Sequence, residues 1–480
     1  MRDHDQLFVD GGWVDPVGSA RIDVISPFTE DVIARVPDGS PGDMDRAVLA
    51  ARHSFDHGSW RWLDPVDRAK LLDEVADRLE ARAAEVAELI TAEMGSTITF
   101  STQYQVPGAI AALRAAAALA RVFPFEEERG DGSTRSLVIQ EPVGVVAAIV
   151  PSNFPLLLAA AQIAPALVAG CSVVLKPAPE SPLDTYVLAE LFQEAGLPAG
   201  VLNIVAGGRQ AGEHLVCHPD VDKVAYTGST AAGQRIAALC GERLTRVSLE
   251  LGGKSAAVVL DDAPLEETVA ALAPLGFLNN GQACVAQTRV LVPRGRHDEL
   301  VDAFVAAIEG MTVGDPTDPA TQIGPLLAER QRDRVEGYLA LGREEGAKVV
   351  TGGRRPPAHD RGWFIEPTLF VNVDNSMRIA REEIFGPVVV VIDYDDPAQA
   401  VAIANDSDYG LSGSVWTGDE QAGIDVARRI RTGMISINGA WQAPDAPFGG
   451  FKRSGLGREC GPEGLRLYLE PKAVGLSIRG

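Results

Sequence analysis

The sequence predicts an α/β fold: two consecutive units of alternating strands and helices, with a small β arm. Three observations carry that expectation. From residue 145 to 253, short β-branched runs alternate with Ala- and Leu-rich stretches of helical period, which implies a parallel sheet covered by helices on both faces. The alternation restarts after Gly252-Gly253 and continues to about residue 440. At 480 residues and 46% apolar content, the chain is long enough for two or three domains.

Residues 1–40 carry Gly and Pro clusters among short β-branched runs, the pattern of strands and turns wrapping a domain. Stretches 43–55, 65–91 and 107–122 place apolar residues at helical spacing, with Asp43 and Asp64 as caps. The charged, glycine-bearing segment 126–134 predicts an exposed hairpin or arm. In the first unit, strands are expected at 145–150, 171–176, 201–206, 223–227 and 246–251, separated by helices at 155–168, 182–195, 209–217 and 231–240. In the second, strands are expected at 256–260, 290–292, 349–350, 388–392, 414–416 and 435–437. Residues 467–478 read as an extended tail, and an open strand edge of that kind needs a partner, so oligomerisation is expected.

Composition excludes several functions. A formal charge of -23 repels phosphate backbones and anionic lipid, so neither nucleic acid nor a membrane surface is an expected partner. Residues 142–175 carry no charge, yet Pro151, Pro155, Pro165 and Gly170 divide them into strand, helix and strand, not a membrane span. The five cysteines, at 171, 217, 240, 284 and 460, form no C-x-x-C pair and no Cys/His cluster, so no metal site is expected. Sparse cysteines and a polar start point to a reducing, cytoplasmic setting.

Four local patterns carry chemistry. Cys284 follows Asn279-Asn280-Gly281-Gln282-Ala283; a lone cysteine is often just a small buried hydrophobe, so its company decides. Glu250 lies in the apolar run Ser248-Leu249-Glu250-Leu251, where burial would raise its pKa toward general-base use; the alternative is an ion pair with Lys254. Asn153 sits at a strand-to-helix turn, placed either to face a developing oxyanion or to hold the turn. Lys176 ends a buried strand at the ligand edge of a parallel sheet, and Gly228-Ser229-Thr230 opens a helix whose free N–H groups suit a phosphate or simply form a cap.

Taken together and in this order, these segments resemble the NAD(P)-dependent aldehyde dehydrogenases over essentially the whole chain. The matching pieces include Val150-Pro151-Ser152-Asn153-Phe154-Pro155, Leu175-Lys176-Pro177, Tyr226-Thr227-Gly228-Ser229-Thr230, Leu249-Glu250-Leu251-Gly252-Gly253-Lys254, the run from Phe277 to Cys284, Glu382-Glu383-Ile384-Phe385-Gly386-Pro387, and Pro447-Phe448-Gly449-Gly450-Phe451-Lys452. The resemblance implies a Rossmann-like cofactor domain (1–122 and 143–251), a catalytic domain (252–440) and an oligomerisation arm (123–142 and 466–480) of a homodimer or homotetramer. It implies Cys284 as nucleophile, Asn153 and the Cys284 N–H as oxyanion donors, and Glu250 as the base that hydrolyses a thioester. Cofactor contacts are implied at Pro151, Ser152, Lys176, Gly212, Gly228, Ser229, Leu251, Gln331, Glu383 and Phe385. The implied reaction takes a small-molecule aldehyde to the acid with water as acceptor; a coenzyme A-acylating enzyme and a catalytically silent member of the fold are the alternatives.

Departures from the family pattern refine this. Pro179 stands where NAD-preferring members often carry a glutamate, and Arg209 could meet a 2′-phosphate, so NAD is expected with NADP as the alternative. Small Ala161, facing Trp441 as an opposite wall, implies a roomy apolar entrance for a bulky or aromatic aldehyde. Gln162 replaces a lysine of a proton relay, while Glu459, the relay's other candidate, is present.

Overall fold

The computed structural model describes residues 3–131 and 133–477. Its centre is an eight-stranded sheet in the order Gly455–Leu456, Arg246–Glu250, Lys223–Thr227, Val145–Ile149, Ser172–Lys176, Leu202–Ile204, Leu7–Val9, Gly12–Val14. The five middle strands are parallel, as the βαβ alternation requires. The edges are antiparallel, so the sheet is mixed.

The uncharged segment explains itself here. Val145–Ile149 and Ser172–Lys176 are buried throughout, and the helix Pro155–Ala169 between them buries most of its length, so few positions there could hold a charge in contact with water. From Val145–Ile149 the chain winds outward to Leu202–Ile204, then returns to the other side at Lys223–Thr227. Adjacent strands whose connections leave in opposite directions open a crevice at their carboxyl ends. The turns that follow, at Pro151–Asn153 and Gly228–Ser229, border that crevice.

The second sheet runs Lys348–Thr351, Thr368–Val371, Val388–Tyr394, Arg289–Pro293, Ala256–Val259, Gly413–Trp416, Ser436–Ile437. Only Lys348–Thr351 is antiparallel. Thr368–Val371, which sequence reasoning did not pick out, is four fully buried residues after Pro367, too short to show a period. The expected helix at 65–91 is in fact two, Pro65–Ala81 and Ala83–Met94, parting at Arg82, whose backbone leaves the helical region (φ -106°, ψ 13°). Its guanidinium is tied to Glu85 and Glu190, which anchors the break.

The exposed arm is the hairpin Glu126–Gly130 and Arg135–Pro142. The tail does not wait for a partner molecule: Leu469–Leu476 pairs antiparallel with Arg135–Pro142 over eight residues of the same chain, leaving its far edge open. The end of the expected arm, residues 478–480, lies outside the described residues. Among the described residues, no helix is long and apolar enough to cross a membrane.

Candidate active site

Cys284 is delivered by a loop bolted down by side-chain amides. After the helix Leu265–Gly276, Asn279 Nδ2 donates to Asn153 O (2.8 Å), Asn280 Nδ2 to Gly95 O (2.9 Å) and Pro325 O (3.0 Å), and Gln282 Oε1 accepts from Leu327 N (3.0 Å). Asn279, Asn280 and Gly281 are all left-handed. Gly281 tolerates no side chain, since a Cβ there would lie 2.2 Å from the Gly386 backbone. The polar residues before the cysteine are therefore its mounting, and they fix its place within a rigid interior.

Cys284 opens into a cavity of about 500 Å³ that also presents Asn153, Glu250 and Glu459. Asn153, 4% exposed, donates from Nδ2 to Gln282 O (3.0 Å), two residues before Cys284, and its second N–H is uncommitted. That places the amide beside the cysteine backbone, as an oxyanion donor needs. Glu250 ends its strand 4% exposed, with Oε2 unpartnered. The ion pair with Lys254, the alternative reading, is not formed among the described residues; Lys254 Nζ is buried without a hydrogen-bond partner.

Electrostatics separates the two carboxyls. Burial and the neighbouring Glu459 push Glu250 up to about 10, so it rests protonated at neutral pH. Burial lifts Glu459 only to about 7, because a hydrogen bond from Gln162 and the charge of Lys223 favour its anion. Burial, Glu383 and Glu250 push the Cys284 thiol well above its usual range, so it too rests protonated. Carboxyl and thiol wait in one cavity with their protons on.

The remaining predicted residues form two groups. Pro151, Gly228, Ser229, Leu251, Gln331, Glu383 and Phe385 line the same cavity as Cys284. Ser229 caps the helix Thr230–Arg243, its hydroxyl accepting from Ala232 N (3.3 Å), so that helix starts at the cavity wall. Glu383 Oε1 accepts from Gly253 N (3.1 Å), and a Cβ at Gly252 would come within 2.3 Å of Glu383 Oε2. Gln331, read as a ribose contact, donates to the carbonyls of Ile384 (3.2 Å) and Phe385 (2.5 Å), so it also holds the loop that carries Glu383.

Ser152, Lys176 and Gly212 stand apart from the cavity wall. Lys176 Nζ donates to Pro177 O (2.9 Å) and Gly207 O (2.8 Å), and burial lowers its pKa to about 8. A Cβ at Gly212 would meet Lys176 Cε at 3.1 Å, so this glycine shapes the lysine's berth. Ser152 is buried, with its carbonyl facing the Ser181 hydroxyl (3.4 Å).

Sequence reasoning named Trp441 as a wall of the entrance but missed Phe100 and Tyr104. Phe100 packs against Tyr104 (ring centroids 5.0 Å) and Phe154 (6.0 Å), and Tyr104 faces Trp441 (6.2 Å). All four line the cavity, with Ala161 and Leu157. The available signal was the four-residue spacing of Phe100 and Tyr104, which places two aromatics on one helical face.

Cysteine, amide and buried carboxyl share one cavity at the switch point of the first sheet. The sequence profile of the aldehyde dehydrogenase family matches residues 13–474. The chain belongs to the aldehyde dehydrogenase family. It is 48% identical to the geranial dehydrogenase of Castellaniella defragrans over 98% of each chain. An aldehyde dehydrogenase of Mycobacterium tuberculosis complexed with NAD+ superposes with a TM-score of 0.98 at 47% identity, over 99% of each chain. A mutant of aldehyde dehydrogenase C from Pseudomonas syringae, in complex with NAD+ and octanal, gives 0.95 at 42% identity, covering 98% of this chain and 96% of that one.

Proposed function

We propose that this aldehyde dehydrogenase oxidises an apolar, uncharged aldehyde to the carboxylic acid, with NAD as hydride acceptor and water as acyl acceptor. The observation that carries the reading is the single cavity in which Cys284, Asn153 and Glu250 meet Ser229, Glu383 and Phe385. NAD, when bound, supplies the electrophilic ring that takes the hydride. The residues present suit it: a helix N-terminus capped by Ser229 for the pyrophosphate, Lys176 at a strand's carboxyl end, and the Glu383 carboxylate for a ribose.

In this reading the Cys284 thiol gives its proton to water in the cavity, the thiolate sulfur adds to the carbonyl carbon as the C=O π bond breaks, and the oxygen becomes an oxyanion held by the Asn153 amide and the Cys284 N–H. Departure of the hydride restores the C=O bond and leaves a thioester on Cys284. Glu250, once ionised, takes a proton from water; the hydroxyl adds to the thioester and the sulfur leaves, releasing the acid. Glu250 favours water over coenzyme A as acceptor.

One relative is named for geranial and another holds octanal, both apolar aldehydes, and the aromatic wall here suits such a substrate. The test is a panel of aldehydes of graded length and charge incubated with NAD and with NADP. NADH formation from apolar aldehydes, in preference to acid-tailed ones, is expected; a protein inert toward every aldehyde would be a silent member of the fold.

A further inference from the structure

The reactive cavity has to hold two things. Gly228, Ser229, Gln331, Glu383 and Phe385, the residues read as cofactor contacts, line part of its 500 Å³, which leaves only the rest for the aldehyde. A second cavity of about 440 Å³ shares part of its wall. Phe100, Tyr104, Leu278 and Trp441 line both, so the partition is one side chain thick.

That partition is loosely built. Trp441 is 64% exposed and Tyr104 46%, and their rings stand 6.2 Å apart, tilted by 37°. Neither indole nor phenol makes a hydrogen bond that would pin it, among the bonds the structure shows. Beyond it the wall changes character: Thr97, Thr99, Asn279, Gln322 and Asn438 add neutral hydrogen-bonding groups, and no charged side chain lines the second cavity. On the reactive side the single cation is Arg334, which is engaged with the carbonyls of Ile384 (3.2 Å) and Glu383 (2.5 Å).

We propose that the gap between Tyr104 and Trp441 is a doorway, and that the second cavity is a subsite for the distal part of a long, uncharged aldehyde. The inference rests on the catalytic reading above. An apolar chain fills the aromatic section, and its far end, apolar or bearing a neutral hydroxyl or carbonyl, reaches the Thr/Asn/Gln-lined compartment. A terminal carboxylate finds no free cation in either cavity, so acid-tailed semialdehydes are poor substrates.

Ala271 provides a clean test, because it lines only the second cavity and sits on the exposed face of the helix Leu265–Gly276, where a larger side chain leaves the core intact. With NAD, wild-type kcat/KM is expected to rise from butanal to dodecanal. Ala271→Trp should lower kcat/KM for dodecanal about tenfold, the scale of lost pocket contacts, while leaving butanal unchanged. Equal effects on both aldehydes, no effect on dodecanal, or a flat wild-type length series would overturn the subsite and leave the catalytic reading standing. No NADH from any aldehyde would overturn both.

Discussion

Glu250→Gln separates chemistry from structure at the position where the cavity's charge is most finely set. The carboxyl is 4% exposed, and its Oε2 has no partner, so the isosteric amide loses no ion pair. If Glu250 is the base for thioester hydrolysis, its removal forfeits the factor of roughly 10² to 10⁴ typical of general-base catalysis, about 3 to 5.5 kcal/mol on that barrier. Hydride departure precedes the base's task. Rapid mixing of Glu250→Gln with NAD and aldehyde should therefore give a burst of NADH approaching one per active site, followed by a steady state slower by that factor. A burst lost together with turnover would refute the assignment, and so would steady-state turnover equal to wild type.

The same substitution has a stability signature of defined sign. The folded-state pKa of Glu250 is raised from 4.5 to about 10, so between those values the folded protein keeps a proton that the unfolded chain has released. This favourable contribution is complete below pH 4.5 and is lost as pH rises toward 10, at up to about 1.4 kcal/mol per pH unit. The amide cannot ionise, so the variant's thermal midpoint should gain on the wild type from pH 6 to pH 9. A gap that stays constant across that range would show that the carboxyl is already ionised in the folded protein.

Three further outcomes are expected. Cys284→Ala should abolish aldehyde oxidation while NAD still binds, measured by quenching of protein fluorescence; retained turnover would remove Cys284 from the mechanism. Asn153→Ala should lower kcat by about 10² to 10³, the usual cost of one oxyanion donor, with a smaller change in KM; unchanged kcat would assign the amide to holding Gln282 O instead. Gly252→Ala places a methyl group within 2.3 Å of Glu383 Oε2, so the carboxylate must move, and KM for NAD should rise more than KM for the aldehyde. Equal changes in the two constants would count against Glu383 as a cofactor contact.

The parts of the site that could be read from the chain are those that regular structure places without help. Lys176 and Glu250 end buried parallel strands, and Ser229 caps a helix after one, so the βαβ rhythm alone locates them at the sheet's ligand edge. What could not be read depends on segments far apart in sequence. Gly455–Leu456 is two residues long and has no β signature, yet it completes the first sheet beside Glu250. Phe100, Tyr104 and Trp441 become one wall only after folding. The ion pair with Lys254 weighed as the alternative for Glu250 does not form, because Glu250 ends a strand and Lys254 follows it in a loop, where four-residue spacing creates no contact.

The antiparallel strand Gly455–Leu456, with Glu459 just beyond it, also sets an order of events during synthesis. Glu250 and Cys284 leave the ribosome well before Gly455–Leu456, the strand that flanks Glu250, and Glu459, the carboxyl that biases its proton. At roughly 5 to 20 residues per second, about 10 to 40 s separates the base from its wall. During that interval the nascent chain exposes a cysteine without its finished cavity. A protein cut before residue 455 would keep Cys284, Glu250 and Asn153 but not the strand beside Glu250 or the Glu459 carboxyl, and is expected to lose aldehyde turnover.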